Sequence, residues 1–89
     1  LARAFGATIL VDQEGVKGSL RREATEAGIP TILFEAGETD RFSRKISTEG
    51  LRGVLNVLSV MGMWTQEDEK QPPFQVIVKA SEWVRADKG

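Results

Sequence analysis

The stretch GSLRREATEAGIPTILFEAGE, residues 18–38, decides the fold. Ser19 is a good helix N-cap, because its hydroxyl can accept a bond from an orphan N–H of the first turn. Leu20, Ala24 and Ala27 follow at i, i+4 and i+7 and make one narrow apolar stripe. Gly28 supplies the left-handed residue that ends such a helix, and Pro30 prevents its continuation. Residues 31–34 (TILF) are rich in β formers and read as a buried strand. That strand finishes on an acid, Glu35, with Gly37 and a second carboxylate, Glu38, close behind.

Upstream, residues 7–11 (ATILV) form a nearly continuous apolar run, the pattern of a strand buried on both faces of a parallel sheet. Residues 12–17 are a polar loop closing on Gly18. Strand, short helix and strand make a compact βαβ unit, so the predicted class is α/β. The opening LARAFG reads as the last turn of a helix, with Gly6 just past its end.

Downstream, residues 37–45 are a charged loop with Arg41, Arg44 and Lys45. Ser47 is the predicted cap of a second helix, with Ile46 and Leu51 placed for a hydrophobic staple. Leu51, Val54, Leu55, Leu58 and Met61 give the strongest helical period in the chain. Gly50 and Gly53 inside it each cost about 1 kcal/mol relative to Ala, which points to close backbone packing, expected against the sheet. Gly62 ends the helix. Residues 65–73 (TQEDEKQPP) have the composition of a linker. Beyond them Phe74, Val76, Val78 and Ala80 alternate with Gln75, Lys79 and Ser81, and Ile77 breaks the pattern. That suggests a half-exposed antiparallel strand opening a second, all-β domain, with a bulge near Ser81 or Glu82 before Trp83. The expected division is residues 1–64, the linker 65–73, and 74–89. Both ends read as cut from a longer chain.

Composition narrows the chemistry. The net charge of −1 over 89 residues argues against nucleic acid or a membrane surface as partner. No run of about 18 apolar residues is present to span a bilayer. There is no cysteine, hence no disulfide and no thiolate metal site. There is no histidine, so neither a Ser-His-Asp triad nor an imidazole zinc site can be built from these residues alone.

Glu35 falls where an α/β sheet gathers functional groups, at the carboxyl end of a strand. A carboxylate there can act as a general base or a metal ligand. It can equally be a solvated acid, a capping acid or a partner for Arg21. Arg21 can hold a carboxylate in a bidentate fork, or be a helix-surface arginine, and Arg22 is its neighbour for either role. Arg41 is a weaker candidate for the rim of a site. Trp64 and Trp83 read as packing residues, since no basic patch accompanies them.

The same segment, followed by RFSRKISTEGLRGVLNVLSVMGM, resembles the succinylglutamate desuccinylase/aspartoacylase family, from about residue 5 to residue 63. The closing VIVKASEWVRADKG resembles the start of that family's smaller C-terminal β domain. No single piece is specific; GSLR, GIP and E-x-G in this order and spacing are. The resemblance implies a fragment of a carboxypeptidase-like, mostly parallel sheet with flanking helices, plus the first strand of a β domain. It implies a cytoplasmic, zinc-dependent amidohydrolase acting on an N-acyl amino acid or a similar small acylated substrate. Glu35, in Glu35-Ala36-Gly37, would be its general base, and Arg21 would hold the substrate carboxylate. In the family a His and a Glu close together and a later His bind zinc. All lie upstream of the glutamate segment and are absent here, so the Zn2+ ligands would lie outside this chain and the fragment alone would be inactive. Zinc would polarise the water and the carbonyl, and Glu35 would move the proton. The competing expectation is a non-catalytic α/β binding or scaffold module whose acids are only surface charge.

Overall fold

The computed structural model describes residues 1–65, 74–82 and 84. The expected linker lies outside the described residues except for Thr65, and so does the bulge expected at Trp83. Three helices and two strands are present among the described residues, in the order α1 (Ala2–Phe5), β1 (Ile9–Val11), α2 (Leu20–Glu26), α3 (Arg44–Val60) and β2 (Val76–Val78). The chain is therefore mixed α/β with a parallel two-stranded sheet. None of its described helices is long and apolar enough to cross a membrane.

Local signals set the helix ends. Ser19 caps α2, its hydroxyl accepting the Arg22 N–H at 3.2 Å. Gly28, at φ 83°, closes it: Gly28 N–H donates to the Thr25 carbonyl and Ile29 N–H to that of Ala24, each at 3.0 Å. These two bonds form a Schellman motif and satisfy carbonyls that a helix end leaves open. Gly62 repeats it after α3, where Gly62 N–H reaches Ser59 and Met63 N–H reaches Leu58. Gly6 is left-handed at the end of α1.

The start of α3 differs from the sequence reading. Ser43, not Ser47, is the N-cap, and its hydroxyl accepts the Ile46 N–H at 3.4 Å. The earlier serine gains one more helical turn. It also places Ile46 inside the helix, so the expected staple with Leu51 does not exist. The buried face of α3 is different too. Leu51, Val54 and Met61 of the apolar stripe are exposed, while Gly53 and Asn56 are buried. The two glycines do mark close packing, but against aromatic rings rather than the sheet. Phe5 lies on Gly53 and Phe34 lies on Gly50. The two rings meet with centroids 4.8 Å apart, a tilted aromatic pair. Asn56 donates from Nδ2 to the Phe5 carbonyl at 3.2 Å and so occupies one open acceptor at the end of α1.

The strands differ more. In the run 7–11 only Ile9–Val11 is strand, and of its three side chains only Leu10 is buried. Residues 31–34 form no strand, and Leu33 is 64% exposed. An extended run becomes a strand only when a neighbour takes its N–H and C=O groups. Among the described residues this segment has no such neighbour. The neighbour of β1 is β2, in register Ile9↔Val76, Leu10↔Ile77 and Val11↔Val78. The antiparallel strand expected there is thus parallel. Its signal was Ile77, since three consecutive β-branched residues are the continuous apolar pattern of a parallel strand, not an alternating one. Val76 N–H donates to the Thr8 carbonyl and Asp12 N–H to that of Val78, both at 2.7 Å, which extends the ladder at both ends.

Candidate functional site

Parallel pairing brings the carboxyl ends of β1 and β2 side by side. Asp12 and Gln13 follow one strand, and Lys79 and Ser81 follow the other. The Gln13 side-chain amide donates to the Ser81 hydroxyl and ties the two exits together. One cleft is lined by residues 9–16 of β1 and the loop after it, by residues 31–35, and by Arg21 and Arg22 of α2. Arg21 and Glu35, the two residues assigned roles from the sequence, line this one cleft.

Glu35 does not end a strand. It is exposed and follows an extended segment without ladder bonds. What holds the segment is Phe34, whose ring rests between Phe5 and Gly50. Gly37, at φ 92°, turns the chain after Glu35 in a conformation that side chains rarely adopt. Thr39 and Asp40 then form a tight turn closed by a bridge between Glu38 and Arg41, whose side chains also pair at 3.3 Å. Those two residues line a separate hollow with Phe42, Ser43 and Ile46. Arg41, expected at the rim of the site, is not brought to the cleft that holds Glu35. Trp64, expected to pack, is exposed.

The adjacent arginines of α2 have separate tasks. Arg22 is engaged through Nε and Nη1: it bonds Glu26 at 2.7 Å one turn on, Glu14 at 3.2 Å, and the Gly15 carbonyl at 3.1 Å. The Glu26 hydrogen bond is the chief cause that raises its pKa above the ordinary arginine value. Arg22 therefore fastens the loop between β1 and α2. Arg21 is the opposite case. Its Nε is shielded from solvent and has no hydrogen-bond partner among the described residues. A buried donor without an acceptor is costly. No ion pair joins Arg21 to Glu35 among the described residues, so that alternative for the two groups is not realised.

No protein-family model, curated protein or solved structure matches this chain. The site stands on its own residues. Among those described, no group of three or more acids or other ligating side chains could hold a metal. Sequence reasoning missed Asp12, Lys79 and Gly15. The first two become neighbours only through the β1–β2 pairing. Gly15 was legible as a glycine in a polar loop, but not as the surface beneath Arg21.

Proposed function

We propose that this chain is part of an amidohydrolase that cleaves a small N-acyl amino acid, with Arg21 binding the substrate carboxylate and Glu35 serving as general base. The observation that supports it is that Arg21, with its unpartnered Nε, and Glu35 line one cleft beside a parallel sheet. The guanidinium fork would fix the carboxylate in two parallel bonds. Glu35 would take a proton from the attacking water and deliver it to the departing amine nitrogen, so one carboxylate serves both halves of the reaction. Its exposure leaves room for water and substrate to reach it.

The resemblance to the succinylglutamate desuccinylase/aspartoacylase family adds zinc, a carboxypeptidase-like sheet and a cytoplasmic setting to this reading. The described residues do not fit a zinc site, since the chain has no histidine or cysteine and no cluster of ligating acids among them. The zinc ligands are therefore assigned to other parts of a longer protein, and this chain alone is expected to be inactive. The same reading divides the chain into residues 1–64 of a catalytic part, a linker 65–73 and the start of a β domain at 74–89. A second reading, a binding or scaffold module, draws support from the exposed apolar residues Ile9, Val11 and Leu33 beside the cleft.

The test is Glu35→Gln in the zinc-loaded longer protein, with Glu38→Gln as control. The amide keeps the size of the acid but cannot accept the proton, so kcat should fall about 10²–10⁴-fold with zinc content unchanged. Among the described residues Glu38 pairs with exposed Arg41 beside the other hollow, and its loss should cost little. Equal rates for the wild type and both variants, or a larger loss at Glu38, would remove Glu35 from the mechanism and favour the binding module.

A further inference from the structure

Gly15 lies in the loop between β1 and α2 with φ 85°, and the Arg21 guanidinium lies against its bare Cα. A Cβ at this position would stand 2.8 Å from Arg21 Nε, 2.9 Å from Nη2 and 3.2 Å from Cζ. No side chain other than hydrogen leaves room for that contact. Arg22 ties this loop to α2, bonding the Gly15 carbonyl and the exposed Glu14 carboxylate. One arginine thus clamps the loop, and the loop in turn supports the other arginine.

We infer that Gly15 is a positioning residue for a carboxylate subsite: its missing side chain is the seat on which the Arg21 guanidinium rests in the cleft. The inference builds on the proposed role of Arg21 and adds what sets its aim. A guanidinium rotates about several bonds in solution, and a fork that must meet both oxygens of a carboxylate gains from being held before the ligand arrives. With its guanidinium against the loop, Arg21 lines the cleft it shares with Glu35 and Asp12. The ligand class is a monocarboxylate small enough to leave an acyl amide near Glu35.

Gly18 supplies an internal control. Its φ of 86° matches that of Gly15, but a Cβ there would meet nothing within 4 Å. Gly15→Ala and Gly18→Ala therefore both place a side chain at a left-handed φ and differ in the contact with Arg21. The readout is the Arg21 side-chain Nε–H signal in a nitrogen-15 correlation spectrum of the full chain, assigned by its loss in Arg21→Lys. The probe is N-acetylglycine, with its uncharged methyl ester as control.

In the wild type and in Gly18→Ala, the Arg21 signal should move with N-acetylglycine and not with the ester. In Gly15→Ala it should be displaced before any ligand is added, and the acid should bind about 10- to 100-fold more weakly, the loss expected of a charge-assisted bond. If Gly15→Ala keeps the wild-type signal and affinity, or only matches Gly18→Ala, the positioning role is overturned. If the wild-type signal ignores N-acetylglycine while Gly15→Ala still displaces it, the carboxylate role of Arg21 fails and the seat at Gly15 stands.

Discussion

The packing of α1 on α3 can be tested at a single carbon. Gly53→Ala adds a methyl that would overlap three atoms of the Phe5 ring. Phe5 is one of the two buried hydrophobic residues among those described, so its ring has little free space to move into. Overpacking of this kind costs about 1–3 kcal/mol. Displacing Phe5 also weakens the bond from Asn56 to its carbonyl, about 1 kcal/mol more. Against this, alanine is better than glycine in a helix by about 1 kcal/mol. The sum is a net loss of about 1–3 kcal/mol. Gly50→Ala, one turn earlier, has the same propensity gain. Its methyl would sit 3.3 Å from Phe34 Cε1, and that half-open ring can give by a few tenths of an ångström. It should stabilise by about 0.5–1 kcal/mol. Urea unfolding followed by far-ultraviolet circular dichroism, with sucrose to keep the transition in range, measures both variants. Gly53→Ala as stable as Gly50→Ala would refute the packing argument. Repeating Gly53→Ala in a Phe5→Leu background closes a double-mutant cycle, and a penalty that persists there would clear the ring of blame.

Three further outcomes follow from the same contacts. Ser43→Ala should destabilise by about 1 kcal/mol through the lost cap, whereas Ser47→Ala should stay within about 0.5 kcal/mol; the reverse order in a denaturation series would restore Ser47 as the cap. Asn56→Ala strands the buried Phe5 carbonyl and should cost about 1–3 kcal/mol, so an unchanged urea midpoint would count against that bond. Amide exchange should find Val76 and Asp12 protected, because they donate to Thr8 and Val78 across the sheet. Free exchange at both would mean that β1 and β2 do not pair in solution.

What the sequence disclosed divides by range. The ends of α2 and the close of α3 were legible because each depends on residues within a few positions: Ser19, Gly28 and Gly62 act on their own turn. The start of α3 was read one turn late because RFSRKIS offers two competent serines, and local preference does not rank them. Strands depend on distant partners. ATILV shrank to Ile9–Val11 and TILF found no ladder, although both have strong β composition. Gly50 and Gly53 announced a close approach but not its partner, since a glycine records missing bulk and not what fills the space.

At the site, Arg21 and Glu35 were legible as residue types, and they line one cleft although the second strand of the expected βαβ unit is absent. The separate tasks of Arg21 and Arg22 were not legible, because they turn on where the Glu14 carboxylate and the Gly15 carbonyl lie in space. Nor was the support of Glu35. The sequence suggested a strand as its mount; the structure substitutes one ring. Phe34 sits on Phe5 and Gly50, Phe5 sits on Gly53, and Glu35 is the next residue after Phe34. The small aromatic core and the acid of the cleft therefore hang on the same pair of rings. A ladder would have spread that support over several backbone bonds. A ring pair concentrates it, so displacement of Phe5 at Gly53 should reach Glu35 through Phe34, while the clamp on Arg21, built from Arg22, Glu14 and Gly15, stays where it is.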